Sequence, residues 1–147
     1  MLQVTPQTQP DNRLHMLKTP KSLLVIEDDL SMIEYMDVVL DELRHGLEWE
    51  YVTSGEAALE LIHRRSFVYG DSPYSLVITD IFLEGETSGL DVWLDCQQKY
   101  QAMPFAVTSS LSHDRYLSIL QGTTNCPVYL PKPLSIDRFQ HLFKEYL

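Results

Sequence analysis

Short apolar runs alternate along this chain with longer segments of helical period, and most of the runs end at a polar side chain. Ser22-Leu23-Leu24-Val25-Ile26 runs straight into Glu27-Asp28-Asp29, and Ser75-Leu76-Val77-Ile78-Thr79 stops at Asp80. Runs this short and β-branched predict buried parallel strands rather than helices. Trp49, Tyr51 and Val52 alternate with polar neighbours and predict another strand. Pro104 to Thr108, ending in Ser109-Ser110, and Val128-Tyr129-Leu130, followed by Pro131-Lys132-Pro133, predict two more. Between the strands the period turns helical. From Leu30 onward Ile33, Met36, Leu40 and Leu43 share one face, with Glu34, Asp37 and Asp41 off it and Gly46 as the stop. Thr53 or Ser54 caps a helix carrying Ala57, Ala58, Leu61 and Ile62, and Ser66 to Pro73 reads as a loop. Leu90, Trp93 and Leu94 point inward from a third helix, and Asp114 to Gln121 form a fourth. Ile136, Phe139, Phe143 and Tyr146 line one side of the last. Alternation of this kind predicts an α/β layered sheet with mostly parallel strands.

Met1 to Pro20 is polar, holds three prolines and has no sustained period, so it reads as a flexible leader before one domain over residues 21–147. A chain of 147 residues, 44% of them hydrophobic, fits one domain with a real core. The formal charge of -10 argues against non-specific binding to DNA, RNA or an anionic membrane surface. No apolar run approaches the roughly 20 residues of a membrane helix, and no signal-peptide pattern opens the chain, so a cytoplasmic location is expected. Cys96 and Cys126 lack CxxC spacing and read as small buried hydrophobes, not as a disulfide framework.

In a parallel sheet all strand C-termini emerge at one edge, where open α/β sheets bind their ligands. If the strands are neighbours, Glu27, Asp28, Asp80, Ser109 and Lys132 meet there. Clustered carboxylates repel and call for a cation. Hard oxygen ligands suit Mg²⁺ better than Zn²⁺, with Ca²⁺ as the alternative. A divalent ion bridging Asp28 and Asp80 would also hold the oxygens of an incoming phosphoryl group. Asp80 could then act as nucleophile and form an acyl phosphate, with Lys132 neutralising the anion and Ser109 donating a hydrogen bond to it. Asp29 reads as the cap of the following helix.

Val25-Ile26-Glu27-Asp28-Asp29, the strand ending in Asp80, the strand from Pro104 to Ser110 and Tyr129-Leu130-Pro131-Lys132-Pro133 together resemble the receiver domain of two-component response regulators, of the chemotaxis-type single-domain kind. The resemblance covers about Lys21 to Leu147. It implies a flavodoxin-like, doubly wound parallel sheet of five strands in the order 2-1-3-4-5, with helices on both faces. It also implies that Asp80 accepts a phosphoryl group from a sensor histidine kinase or a histidine phosphotransfer protein. Asp28 would ligate Mg²⁺ directly and Glu27 through water, and the backbone carbonyl of Phe82 would be the remaining protein ligand. Ser109 takes the hydroxyl switch position, Tyr129 the aromatic switch position and Lys132 the lysine position, with a cis peptide to Pro133. Thr108 is also a hydroxyl, but counting from Pro104 favours Ser109 and leaves Ser110 at the small position. Two departures concern the switching surface: the loop after Asp80 is one residue longer than in the commonest members, and Gly122-Thr123-Thr124 replaces a Gly-Ala pair.

On this reading the protein is a stand-alone receiver and not an enzyme. Its output runs in trans, through a downstream protein or a second copy that reads the face of the fourth helix, last strand and last helix. Two readings compete. A pseudo-receiver would bind partners without phosphorylation. A Mg²⁺-dependent phosphatase working through an aspartyl phosphate would carry a second acid two residues after its nucleophile, where this chain has Phe82. Dinucleotide binding fails for want of a GxGxxG after a strand. Phe82 and Leu111, bulky and apolar, flank the path of a hydrolytic water and imply slow autodephosphorylation.

Overall fold

Every one of the expected strand and helix segments forms in the computed structural model, which describes residues 20–43 and 47–147. In chain order they are β1 (Ser22–Ile26), α1 (Leu30–Leu43), β2 (Glu48–Val52), α2 (Gly55–Tyr69) and β3 (Leu76–Asp80), then α3 (Gly89–Lys99), β4 (Phe105–Ser109), α4 (His113–Ile119), β5 (Val128–Pro131) and α5 (Ile136–Tyr146). The expected leader over residues 1–20 lies outside the described residues but for Pro20, as does Gly46.

All the strand pairs are parallel, and the sheet order is β2-β1-β3-β4-β5. β1, β3 and β4 are buried along their whole length, which is why their sequences are continuous apolar runs rather than alternating ones. The pleat divides each run between two layers. Leu23, Val25, Leu76 and Ile78 pack with Met36 and Leu40 of α1 and Phe139, Leu142 and Phe143 of α5. Leu24, Ile26, Val77 and Val107 pack on the other face with Ala58 and Ile62 of α2, Trp93 and Cys96 of α3 and Tyr116 of α4. The register sets Ile26 beside Thr79 and Asp80 beside Thr108. The polar residues that follow β1 and that end β3 and β4 therefore lie side by side at one edge of the sheet.

Four expectations are corrected. The segment Ser66 to Pro73 is not all loop, because α2 continues to Tyr69 and stops at Gly70, whose φ is 65°. The additional turn is held by Arg65, whose guanidinium lies 4.6 Å from the Tyr69 ring and 4.5 Å from the Tyr74 ring. The same guanidinium reaches Glu48 at 3.1 Å and the Pro73 carbonyl at 2.5 Å. Leu94 faces solvent at 46% exposure, because the buried arc of α3 runs through Leu90, Trp93 and Cys96. Ile136 is 45% exposed in the first turn of α5, ahead of the buried Phe139 and Phe143. Of the two cysteines only Cys96 is buried, with its thiol pushed up to about 12 by desolvation, while Cys126 is exposed.

Candidate functional site

The C-terminal ends of β1 and β3 and the turn after β5 supply the charged groups of the site. Glu27 follows β1 directly and is almost wholly buried, its backbone continuing the sheet with its amide donating a hydrogen bond to the Val52 carbonyl at 3.0 Å. Its Oε1 accepts from the Asp29 amide at 3.1 Å. Asp28 is half-buried, and its Oδ2 accepts from the Glu84 amide at 2.9 Å. Asp80 is the last residue of β3 and is buried, and its Oδ1 accepts from the Phe82 amide at 3.1 Å. Lys132 comes in from the far side, its backbone amide donating to the Ser109 carbonyl at 2.8 Å and its peptide to Pro133 cis. Lys132 Nζ then donates to Asp80 Oδ2 at 2.7 Å and to Glu27 Oε2 at 3.3 Å.

Lys132 thus pairs with two of the three acids. Burial raises the pKa of Glu27, and the charge of Asp80 adds to that, against the opposing pull of the Asp29 amide and Lys132. The folded protein therefore holds the Glu27 proton more tightly than the unfolded chain does. Its contribution favours folding below the unfolded value and is lost as pH rises through the raised one, so near neutrality the ionised cluster carries a cost. For Lys132 burial acts downward, but the hydrogen bond and charge of Asp80, with the charge of Glu27, outweigh it and raise the pKa. The ligating oxygens of Glu27, Asp28 and Asp80 lie within 4.8 Å of one another, and among the described residues this is the acid group placed to hold a metal ion. Three hard oxygens, open to water through the half-buried Asp28, fit a Mg²⁺-type ion.

Ser109 ends β4, is buried, and accepts on its Oγ from the Leu111 amide at 3.1 Å. Thr108, the other hydroxyl in that strand, lies 3.5 Å from the Thr79 carbonyl inside the sheet. Tyr129 is half-buried, and its hydroxyl donates to the Leu111 carbonyl and lies 3.5 Å from that of Ser109. Its ring stacks on Tyr116 with centroids 4.4 Å apart. The Phe82 side chain is 58% exposed.

No family model matches the chain. The polar-differentiation response regulator DivK of Brucella anthropi is 33% identical over 134 residues, an alignment covering 87% of this chain and 97% of that relative. The chain belongs to the response regulator receiver family. DivK of Brucella ovis is 32% identical over 131 residues, covering 86% of this chain and 96% of the relative. Solved structures agree on the fold. The receiver domain of a Pseudomonas aeruginosa sensor histidine kinase, solved with a magnesium ion coordinated in its active site cleft, superposes with a TM-score of 0.67 at 18% identity over 86% of this chain and 97% of that one. The chemotaxis protein CheY4 of Vibrio cholerae superposes at 0.69 with 15% identity, over 87% and 99% of the two chains.

Sequence reasoning missed several groups that shape the cleft of this receiver. Glu84 supplies the amide bonded to Asp28, and Thr87 supplies one bonded to Glu56 of α2 at 3.0 Å. Neither contact has a local signature, since the partners lie 56 and 31 residues apart in the chain. Tyr116 was legible only as a helical residue, yet it is the surface on which Tyr129 rests, and its own hydroxyl donates to the Pro127 carbonyl at 2.8 Å. Gly89 carries no side chain to mark it as part of the cleft. It begins α3 pressed against the end of β3, where an added Cβ would meet the Asp80 carbonyl oxygen at 1.9 Å.

Proposed function

We propose that this receiver accepts a phosphoryl group on Asp80 from a sensor histidine kinase or histidine phosphotransfer protein, and so switches a protein-binding surface. The observation that carries the reading is the buried Asp80 carboxylate, held by Lys132 at 2.7 Å beside two further acids. A carboxylate oxygen of Asp80 forms a bond to phosphorus as the P–N bond of a phosphohistidine breaks, and the electron pair leaves with the imidazole. The Phe82 amide and Lys132 hold the carboxylate in place, and Lys132 then offsets the charge of the phosphorylated product. Asp28, Asp80, Glu27 and the Phe82 carbonyl would hold Mg²⁺. Bound there, the ion supplies positive charge to the phosphoryl oxygens in the transition state.

Ser109 and Tyr129 carry the switch in this reading. Ser109 donates its hydroxyl to the phosphoryl group, which draws on the Leu111 segment that its Oγ and the Tyr129 hydroxyl both hold. The output face then lies on α4, β5 and α5, where Leu117, Ile119, Val128 and Ile136 are exposed. A downstream protein or a second copy of the domain reads it in trans, in the cytoplasm, with no direct contact to nucleic acid and no membrane insertion. Among the described residues no helix is long and apolar enough to cross a membrane.

Incubation with Mg²⁺ and a small acyl-phosphate donor, followed by intact-mass measurement, tests the reading. One added phosphoryl group is expected on the wild type. It should fail to form when Mg²⁺ is chelated beforehand and be reduced at least about tenfold at limiting Mg²⁺ in Asp28→Asn, as ligand-shell changes reduce metal-dependent activity elsewhere. Labelling of both proteins to the same extent without Mg²⁺ would overturn it. The lifetime of the acyl phosphate is expected to be long, and to shorten in Phe82→Asn and Leu111→Glu when followed by the decay of the phosphorylated mass. Unchanged lifetimes would remove these two side chains from the hydrolytic path.

A further inference from the structure

The loop between β3 and α3 is tied at two points to side chains from other elements. At its start the Glu84 amide donates to Asp28 Oδ2 at 2.9 Å. Near its end the Thr87 amide donates to Glu56 Oε1 at 3.0 Å. Glu56 sits in the first turn of α2, behind the Ser54 cap. Its carboxyl is held below the usual range first by a hydrogen bond to its own amide, then by bonds from the Thr87 side chain and from the amides of Thr87 and Glu86. The fit around it is close. A Cβ added at Gly85 would lie 3.3 Å from Glu56 Oε2, and one added at Gly55 would meet Thr87 Cγ2 and the Thr87 carbonyl at 2.7 Å.

An acid in the first turn of a helix has a bland role, which is to favour the helix dipole. That role leaves the hydrogen bond from the Thr87 amide, 31 residues away in the chain, unexplained. A backbone amide in an exposed loop has water available, so holding that of Thr87 on a carboxylate from α2 fixes where the loop runs. The same loop sets the orientation of Asp28 through Glu84 and carries the backbone of Phe82 past Asp80.

We propose that Glu56 is a positioning residue for the cation site, acting through the loop from Glu84 to Thr87 and not by touching the ion. The inference rests on the assignment of Mg²⁺ to Asp28 and Asp80. Without Glu56 the loop samples more conformations, Asp28 loses its fixed amide partner for part of the time, and Mg²⁺ must order both on binding. The expected result is weaker Mg²⁺ affinity with little change in the rate of phosphorylation once Mg²⁺ is saturating.

The test compares wild type, Glu56→Ala, Glu60→Ala and Asp28→Asn. Glu60 is exposed on the same helix, so its removal takes away an equal charge without the loop bond. Amide hydrogen exchange of the 84–88 segment is read in the metal-free protein, and Mg²⁺ affinity is read by calorimetry. Glu56→Ala is expected to speed exchange of that segment while leaving β1 and β3 protected, and to weaken Mg²⁺ about tenfold, the low end of the effect of groups that orient metal ligands. Glu60→Ala should match wild type in both. Wild-type behaviour of Glu56→Ala, or an equal loss of affinity in Glu60→Ala, overturns the positioning role while Asp28→Asn still shows the cation site to be real. Wild-type Mg²⁺ affinity in Asp28→Asn removes the cation assignment itself, and the role of Glu56 falls with it.

Discussion

Gly89→Ala is expected to destabilise the receiver by about 3 kcal/mol or more, the upper end of the cost of overfilling a packed interior. The added methyl would sit 1.9 Å from the Asp80 carbonyl oxygen, 2.6 Å from Thr79 Oγ1 and 2.8 Å from the Asp80 carbonyl carbon. Two of these are backbone atoms of a buried strand and cannot swing aside. The Gly89 amide donates to the Ile81 carbonyl at 3.0 Å, so α3 cannot back away without breaking the bond that seats it. Relief must come from moving the end of β3, which carries Asp80, the proposed phosphoacceptor. Denaturant unfolding should therefore show the loss of stability, and Mg²⁺-dependent phosphorylation should fail in whatever fraction stays folded. Gly122→Ala provides the contrast. Its φ of 79° is strained for alanine, but nothing lies within 4 Å of the new methyl, so the expected loss is only about 1 kcal/mol. Comparable stabilities for the two variants would contradict the close seating of α3 on β3.

Lys132→Met is expected to produce a protein whose stability depends on Mg²⁺. Lys132 Nζ lies 2.7 Å from Asp80 and 3.3 Å from Glu27, carboxylates whose side chains are 9% and 5% exposed. Removing one partner of a buried pair typically costs about 3–5 kcal/mol. Lys132 is itself 24% exposed, so solvent screening brings the expected loss to about 2 kcal/mol at neutral pH. The sign with pH follows from Glu27. Its pKa is already raised, and loss of Lys132 raises it further, so the metal-free variant should recover stability on acidification as the carboxylate takes up its proton. Mg²⁺ should stabilise the variant more than it does the wild type, because in the variant it is the cluster's main counter-charge. Thermal melts with and without Mg²⁺ at several pH values check this. A variant as stable as wild type, with no larger gain from Mg²⁺, would show that Lys132 does not compensate the acids.

Much of this arrangement could be read before any coordinates. β1, β3 and β4 have both faces buried, so they print as unbroken apolar runs, and the residues ending those runs are necessarily side by side in a parallel sheet. That was enough to bring Glu27, Asp28, Asp80, Ser109 and Lys132 to one edge. Strand order was another matter: nothing in the runs themselves ranks β1 between β2 and β3, and the order came from family resemblance. Helix boundaries failed where tertiary contacts decide them. The last turn of α2 depends on Arg65 reaching Tyr74, Glu48 and Pro73. Leu94 and Ile136 are apolar residues left outside by a buried arc narrower than their periodicity implied. Cys126 is exposed in the turn before β5, where cysteine's usual preference for burial gave no guidance. The ties of Glu84 and Thr87 to Asp28 and Glu56 join amides to side chains far away in the chain, and backbone donors leave no mark in a sequence.

The central claim is the identity of the phosphoacceptor. Borohydride reduction of the receiver after phosphorylation converts an aspartyl phosphate to homoserine, and peptide sequencing by mass spectrometry then locates the residue. Homoserine is expected at position 80 alone, dependent on Mg²⁺ and absent when Asp80→Asn is treated in the same way. Homoserine at another acid, or none in a folded protein that binds Mg²⁺, would contradict the account, and absence would favour a receiver fold that engages its partners without phosphorylation.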